Sequence, residues 1–233
     1  MKYHNLKNEV TNKLFFVTME TEFVHATYNS ISRQFDGSRF CMWPEVVRFL
    51  DSLPGGSLIA DIGCGNGKYL DYRTADCIMV ACDASAALLE IARERRVGCR
   101  SFSLGNMMAL PYRTGLFDAV INVAVLHHIS TKERRVEAVK ELIRIVRPGG
   151  QICISVWADE QIKKEKWQLC NTNNSTTDYM IPFDKRNGEV IMRYYHLFTE
   201  ADFREVLSEC SAEAVVESFV FDKENWIAVL QKL

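Results

Sequence analysis

The stretch Leu58-Ile59-Ala60-Asp61-Ile62-Gly63-Cys64-Gly65-Asn66-Gly67 joins a short apolar run to three glycines on alternate positions. Apolar residues that end in a glycine cluster indicate a buried strand entering a tight turn. Glycine permits positive φ and leaves room for a ligand close to the backbone. A second strand-like run ends at Asp83, about 20 positions after the first glycine, where a carboxylate suits the two hydroxyls of a ribose. We therefore predict that this turn binds a nucleoside cofactor.

The spacing of the glycines separates this turn from the dinucleotide fingerprint, which is Gly-x-Gly-x-x-Gly. Here the third glycine comes one residue early, and Asp61 stands two residues before the first. This variant resembles the cofactor loop of class I S-adenosylmethionine (SAM) methyltransferases. The alternative is a glycine turn that binds no ligand, and Asp83 argues against it.

Length and composition limit the kind of protein. The chain has 233 residues, of which 48% are hydrophobic and 25% charged, as expected for one globular domain. The formal net charge of −2 gives no general argument for nucleic acid, although a local basic patch would suffice. The eight cysteines include no Cys-x-x-Cys pair, so we expect no metal site, no disulfide framework and a reducing compartment.

The same composition bears on location and domain organisation. No window approaches the ~18 apolar residues of a membrane span, and Met1 to Glu20 lacks the apolar core of a signal peptide. We therefore expect cytoplasmic residence, with the nucleus as a further compartment, and no membrane partner. Residues 1–19 are predicted to form a flexible tail, and residues 20–233 a single domain.

Hydrophobic periodicity predicts two helices before the first strand, one from Glu20 to Asp36 and one from Trp43-Pro44 to about Leu53. Both can cover the cofactor pocket. Strand-like and helix-like segments then alternate, which predicts an α/β fold with right-handed βαβ units and a parallel sheet. The segments are Ser57–Ile62, Gly67–Arg73, Ile78–Asp83, Ala86–Arg96, Arg100–Leu104, Phe117–Val123, Thr131–Arg147 and Gln151–Trp157.

The last third of the chain changes in character. Residues 158–188 are polar and are predicted to form a long surface loop over the carboxyl ends of the strands. A helix is predicted from Thr199 to about Cys210, followed by an antiparallel hairpin over residues 213–221 and 226–230. The helix at Thr131 is expected to begin with a capping box of Ser130 and Glu133.

A pair of histidines, His127 and His128, follows the strand Phe117–Val123. Open α/β sheets bind ligands at the carboxyl ends of their strands, so either histidine could face a substrate. In the competing interpretation, one histidine packs in the core while the other caps a helix or faces water.

Several segments together resemble the eukaryotic tRNA wobble-uridine carboxymethyl methyltransferases, including the methyltransferase domain of the AlkB-homologue type. The most specific are Glu133-Arg134-Arg135, Trp157-Ala158 and Arg193-Tyr194-Tyr195-His196, and the resemblance spans about Val24 to Leu233. It implies the class I SAM-methyltransferase fold, Rossmann-like, with a mostly parallel seven-stranded sheet and a C-terminal antiparallel hairpin.

The resemblance also implies an activity and two partners. The activity is methylation, from SAM, of the carboxylate of 5-carboxymethyluridine at the wobble position. The partners are the tRNA anticodon loop and a small zinc-binding activator subunit that pairs with a strand edge. Basic residues between Lys132 and Arg147 would contact the tRNA, or would form only a solvated helix face.

The glycine turn and the resemblance together name the candidate residues. A carboxylate is ionised at neutral pH, so its methylation needs no general base, only groups that orient it. The catalytic candidates are Arg39, His127, His128, Arg193, Tyr194 and His196, and the alternative for the run Arg193–His196 is a surface position. The cofactor candidates are Asp61, Gly63, Cys64, Gly65, Gly67, Tyr69, Asp83, Ala84, Asn106, Met107 and Val123.

Two positions depart from the family pattern. Asn106 stands where an acidic residue usually holds the adenine amino group, and Ala84 where an arginine often follows the ribose aspartate. The amide oxygen of Asn106 can still accept that hydrogen bond. Two other interpretations stay open, a small-molecule SAM methyltransferase and a non-catalytic relative that uses the fold as a binding scaffold.

Overall fold

The computed structural model describes residues 17–36, 42–95, 98–99, 101–162, 165–170 and 175–233. Five parallel strands form most of its main sheet: β1 (Leu58–Ile62), β2 (Ile78–Asp83), β3 (Ser101–Leu104), β4 (Phe117–Val123) and β5 (Val146–Trp157). A second, smaller sheet holds β6 (Gln168–Leu169), β7 (Asp178–Asp184) and β8 (Val190–His196). The chain closes with the hairpin β9 (Ala214–Asp222) and β10 (Asn225–Lys232).

The main sheet has seven strands in the order β3-β2-β1-β4-β5-β10-β9. β10 runs antiparallel to both β5 and β9. The predicted sheet, mostly parallel with an antiparallel C-terminal hairpin, is confirmed. The strand order reverses direction between β1 and β4, and ligands of open α/β sheets bind in the crevice beyond such a point.

Helices cover both faces of this sheet. They are α1 (Thr27–Asp36), α2 (Pro44–Ser52), α3 (Ala86–Arg95), α4 (Lys132–Ile145) and α5 (Glu200–Ser208). One apolar layer joins alternate strand residues to α4 and α5, and the other joins the remaining strand residues to α2 and α3. Because both faces are covered, the strands read as nearly continuous apolar runs in the sequence.

The N-terminal segment lies ahead of the sheet as predicted, with a π-helical turn at Thr21–Ala26 between helical residues 17–20 and α1. Residues 1–16 of the expected tail lie outside the described residues. Met19 is buried against Val24 and Tyr194.

Two local predictions were wrong. Residues 67–76 form successive turns instead of a helix over Gly67–Arg73, because their hydrogen bonds reach three residues back, as from Leu70 N–H to the carbonyl of Gly67. Helix α4 is capped by Thr131, which accepts from the N–H of Arg134, rather than by Ser130. The Ser130 hydroxyl instead donates to Glu20.

The prediction of a surface loop over residues 158–188 was also wrong in part, since Gln168–Leu169 and Asp178–Asp184 are the strands β6 and β7 of an antiparallel sheet with β8. The polar composition and Pro182 hid strand β7, because proline is rare inside a sheet. Pro182 is tolerated because β6 pairs only with Tyr179 and Met180, so β7 is an edge at that point. This small sheet packs against the N-terminal helical segment and the turn at residues 126–128.

Candidate active site

A cleft opens beyond the carboxyl ends of β1, β2 and β4, where the glycine turn lies. Its empty volume, including the open mouth, is about 1130 Å³. Every cofactor candidate except Gly67 lines it: Asp61, Gly63, Cys64, Gly65, Tyr69, Asp83, Ala84, Asn106, Met107 and Val123. Gly67 lies in the turn itself, where its N–H donates to the carbonyl of Cys64.

Asp83 holds the glycine turn in place. Its Oδ2 accepts from the N–H of Gly65 at 2.8 Å, and its Oδ1 accepts from the N–H of Ser85 at 2.7 Å. Gly65 has φ +55°, and a Cβ there would meet no atom within 4 Å, so a side chain would project into the open space of the cleft. Each carboxylate oxygen of Asp83 keeps a lone pair for a ribose hydroxyl.

Asp61 places an unsatisfied carboxylate oxygen in the wall of the cleft. Its Oδ2 is buried and has no hydrogen-bond partner among the described residues. Burial, reinforced by the charge of Asp83 and opposed by Lys68, raises the pKa of Asp61 to about 8. A cationic group of a ligand would relieve both the missing contact and the cost of ionising Asp61.

Asn106 fixes its own turn. Its Oδ1 accepts from the N–H of Met108 at 2.9 Å, and its Nδ2 lies 3.5 Å from Nε2 of His25. The amide oxygen therefore already accepts a hydrogen bond within its own loop, and only its second lone pair can accept one from an adenine amino group.

The N-terminal helical segment supplies part of the cleft that the sequence did not identify as a site. Glu20, His25 and Tyr28 line the cleft, together with Phe35 and Trp43. His25 and Tyr28 fall within the span of the family resemblance, which begins at about Val24, but neither was among the candidate residues. Lys68 was missed too, and lies 4.9 Å over the ring of Trp43.

The two histidines have different roles. His128 lines the cleft, and its Nδ1 lies 2.9 Å from the carbonyl oxygen of Tyr194. Since a carbonyl only accepts, Nδ1 carries the proton, and Nε2 of the neutral ring accepts from the hydroxyl of Tyr28 at 2.9 Å. Tyr28 Oη also lies 3.0 Å from Tyr195 Oη.

His127 lies behind the cleft and does not line it. Its Nδ1 accepts from the N–H of Trp157 at 3.1 Å, and its ring stacks on Tyr195 with centroids 5.0 Å apart. Packing therefore holds for His127, whereas His128 lines the cleft, and contact of His128 with a substrate stays a prediction.

Arg193 is a buried cation. Its exposed fraction is 6%, and its guanidinium lies 5.3 Å over the ring of Phe183 and 5.2 Å over that of Tyr195. Its Nε has no hydrogen-bond partner, and no carboxylate of the described residues forms an ion pair with it. Burial lowers its pKa, but the hydroxyls of Tyr195 and Tyr28 outweigh that effect and raise it.

Tyr194 and His196 point into a different network, away from the cleft. The hydroxyl of Tyr194 and Nδ1 of His196 both donate to Oδ1 of Asp178, at 2.8 and 2.7 Å. Burial and the nearby charge of Arg135 lower the pKa of His196, so its neutral ring is the donor. These two candidates therefore lie close together, but they connect β8 to β7 and do not face the cleft. Arg39 lies outside the described residues.

Three of the five basic residues of α4 are paired with glutamates, and Lys140 is exposed. Lys132 lies 2.6 Å from Glu205, Arg134 2.6 Å from Glu20, and Arg144 2.7 Å from Glu141. Arg147, just after the helix, pairs with Asp118 at 2.6 Å, and Arg135 is buried. This arrangement favours the interpretation of a paired helix face over that of a tRNA-binding stripe.

The described residues contain neither a membrane-spanning helix nor a metal-binding cluster. None of their helices combines the length and the apolar character needed to span a bilayer. No three of their His, Cys, Asp or Glu side chains are grouped so as to hold a metal ion.

Comparison with known proteins agrees with this geometry. Residues 60–154 match a methyltransferase domain family. A solved SAM-dependent methyltransferase from Methanosarcina mazei superposes with a TM-score of 0.67 at 18% identity, over 82% of this chain and 98% of that chain. This likeness shows the class I SAM-methyltransferase fold.

Two curated relatives are similar over nearly the whole chain. The tRNA (carboxymethyluridine(34)-5-O)-methyltransferase of Xenopus tropicalis is 36% identical over 93% of this chain, which spans only 42% of that protein's length. The protein of the same name from Schizosaccharomyces pombe is 32% identical over 93% of this chain and 99% of its own length. The chain therefore belongs to the tRNA (carboxymethyluridine(34)-5-O)-methyltransferase family.

Proposed function

We propose that this chain transfers a methyl group from SAM to the carboxylate of 5-carboxymethyluridine at the wobble position of tRNA. The names of its relatives support this substrate. The observation that carries the proposal is Arg193, a buried cation without a carboxylate partner among the described residues. Buried charges are normally paired, so the surroundings of Arg193 suit an anionic ligand.

The cleft fits SAM. The ammonium and sulfonium groups of SAM suit the unpaired, buried carboxylate of Asp61. Its ribose suits Asp83, which holds the glycine turn beside the open space at Gly65. When bound, SAM supplies the electrophilic methyl group.

Four side chains form what we name the carboxylate seat: Arg193, Tyr28, Tyr195 and His128. Arg193 provides the charge, and its planar donor set matches a carboxylate. Tyr28 links the seat to the cleft, since its hydroxyl lies 2.9 Å from His128 and 3.0 Å from Tyr195.

The seat orients the substrate carboxylate and needs no proton transfer, because that group is already ionised. His128 is held by the Tyr194 carbonyl and acts by positioning Tyr28. The aromatic walls exclude water, which favours a reaction in which opposite charges are neutralised.

The test compares variants of Arg193 in single-turnover methyl transfer to tRNA isolated from cells that lack the ester. Arg193→Gln should reduce the rate by orders of magnitude and leave the SAM dissociation constant within about twofold, because Arg193 is not among the residues that line the cleft. Arg193→Lys should recover part of the rate, since a point charge cannot reproduce the planar fork. The matched control is Arg204→Gln, which changes an exposed arginine on α5.

Tyr28→Phe tests the same seat with a smaller change, because it removes one hydroxyl and keeps the ring. It should slow methyl transfer at least tenfold without altering unfolding temperature. A wild-type protein that transfers no methyl group to this tRNA would show that the substrate assignment is wrong. Full activity in both Arg193→Gln and Tyr28→Phe would mean that other residues bind the substrate carboxylate.

We further propose the small zinc-binding activator as a partner and the cytoplasm, with the nucleus, as the location. Within the described residues, β3 and β9 are the outer strands of the main sheet, and the Leu104 side chain of β3 is exposed. An exposed edge can accept a strand from a partner. Co-purification of Leu104→Lys and Val216→Lys variants with the activator tests which edge is used, and imaging of the tagged protein tests the location.

A further inference from the structure

An aromatic ladder lies beside the carboxylate seat, and the proposed chemistry does not use its outer half. Its members are Trp167, Trp157, Tyr195 and His127. Trp167 stacks on Trp157 with centroids 6.4 Å apart and planes 19° apart. Trp157 contacts Tyr195 at 4.8 Å and 30°, and Tyr195 stacks on His127 at 5.0 Å and 24°.

The two middle rings of the ladder, Trp157 and Tyr195, come from strands of two different sheets. Trp157 ends β5 at the edge where β4 also ends, two residues past the pair Val123 and Ser155. The backbone N–H of Trp157 donates to Nδ1 of His127, and this hydrogen bond holds the inner end of the ladder in place. Tyr195 belongs to β8 of the small sheet, so it joins the ladder to the seat through its hydroxyl, 3.0 Å from Tyr28.

The outer end of the ladder faces solvent. Trp157, Trp167 and Tyr179 are only half-buried. The apolar neighbours Ile162 and Leu169, on either side of Trp167 in the sequence, are 82% and 45% exposed. Large apolar side chains that lie together at the surface indicate a binding site more often than single, scattered ones do.

A basic residue directly precedes Trp167 in the sequence. The Lys166 side chain is 70% exposed and lies 3.5 Å from Asp184, a long contact between exposed groups. Such a pair contributes little and is easily exchanged for another anion. Aromatic rings that stack with bases, next to basic side chains that meet phosphates, are how proteins bind unpaired nucleic acid.

Core packing of the small sheet accounts for only part of the surface of these rings. Ile181, Tyr195 and Leu197 form its buried centre, and the two tryptophans and Tyr179 pack against it but stay half-buried. A protein ligand would need a larger apolar area than these few side chains offer.

We infer that Trp167 and Trp157 form a stacking platform for an unpaired nucleobase of the RNA substrate, next to the base that enters the carboxylate seat. This rests on the proposed function, because the seat fixes where the modified uridine lies. Tyr195 belongs to both the ladder and the seat, so a base stacked on the outer face of Trp167 is separated from Tyr195 by the two tryptophan rings.

The experiment measures binding of an anticodon stem-loop oligonucleotide that carries 5-carboxymethyluridine at the wobble position, with methyl transfer and SAM affinity beside it. Stacking of one base contributes about 1–3 kcal/mol, so Trp167→Ala should weaken stem-loop binding by roughly fivefold to a hundredfold. SAM affinity should not change. Trp167→Phe keeps an aromatic face and should bind within about threefold of wild type. The matched control is Trp226→Phe, which alters a tryptophan in β10.

A second readout covers the case in which Trp167→Ala fails to fold. Stacking quenches indole fluorescence, so the stem-loop should quench the wild-type protein and the Trp226→Phe variant, and quench Trp167→Phe clearly less. Equal quenching and equal affinity in all variants would overturn the inference. Methylation of the stem-loop together with unchanged binding by Trp167→Ala would overturn the platform alone. Binding that depends on Trp167 without any methyl transfer would support the platform and refute the proposed function.

Discussion

At the scale of single residues, Asp61 carries the clearest electrostatic consequence. In the folded, ligand-free protein its pKa lies at about 8, because burial penalises the charged form and Asp83 adds to that penalty. An unfolded aspartate ionises near 3.8, so the free energy of unfolding contributed by this group falls as pH rises from about 4 to about 8. Near neutral pH the side chain is therefore largely protonated until a cation arrives.

This leads to a prediction about pH. If the cationic groups of SAM hold Asp61 ionised, binding releases a proton, and affinity should rise by up to about tenfold per pH unit below pH ~7.7, where an α-amino group itself titrates. Calorimetry in two buffers of different ionisation enthalpy measures the released proton directly. Asp61→Asn should bind more weakly with no pH dependence in that range. A wild-type affinity that is flat with pH would mean that the protonation state of Asp61 does not change on binding.

Residues close together in the sequence were the predictable part of the site. Asp61, Gly63, Gly65 and Asp83 follow from one strand, one turn and the next strand, and the structure places them all on the cleft. The carboxylate seat could not be assembled in this way. Tyr28, His128 and Arg193 come from three separate segments, and only the packing of β8 against the N-terminal segment brings them together.

At the scale of elements, the N-terminal helical segment is fastened by one buried side chain. Glu20 accepts from the N–H and hydroxyl of Ser130, and both its oxygens accept from Arg134, at 2.6 and 2.9 Å. Burial raises the pKa of Glu20, but these hydrogen bonds outweigh burial and lower it below its ordinary value of 4.5. The stabilisation is therefore present above pH ~4.5 and lost as pH falls through the lowered pKa.

We predict that Glu20→Ala lowers the free energy of unfolding by about 3–5 kcal/mol, because it leaves the charge of Arg134 and the Ser130 N–H without their partner. The measurement is urea denaturation at neutral pH, with the SAM dissociation constant alongside it. The segment lines the cleft, so SAM affinity should fall as well. The control is Glu205→Ala, which breaks the exposed ion pair between Glu205 of α5 and Lys132 of α4. It should lower the free energy of unfolding by less than about 1 kcal/mol. Equal losses from the two substitutions would contradict a buried tether.

Helices and strands could be predicted from the sequence where the residues on one or both of their faces are apolar. The strands of the main sheet and the helices α3, α4 and α5 meet that condition, and the predicted boundaries lie within a few residues of the observed ones. The small sheet does not meet it. Its strand β7 is mostly half-buried and contains Pro182, and the partner strand β8 carries the charged Arg193, whose burial only tertiary contacts explain.

At the scale of the whole molecule, the distribution of charge decides how RNA can approach. The formal net charge is −2, and three basic side chains of α4 pair with glutamates. An RNA molecule would have to break those pairs to use these three side chains. The Lys166 side chain, by contrast, is 70% exposed and directly precedes Trp167 of the aromatic ladder in the sequence. Exposed cations, rather than the total charge, are therefore where a phosphate backbone would first be neutralised.

The salt dependence of RNA binding tests this view. Each phosphate neutralised on a single strand contributes about 0.7 to the slope of log K against log salt. We predict that Lys166→Ala weakens binding of the anticodon stem-loop and reduces that slope by about 0.7, because one phosphate contact is lost. Lys132→Ala removes an equal charge from α4, but that charge is already paired at 2.6 and 3.3 Å with two glutamates, so affinity and slope should stay as in the wild type. Titrations at several salt concentrations separate the two cases. A slope that falls in Lys132→Ala and not in Lys166→Ala would place the RNA on the face of α4 instead of beside Lys166.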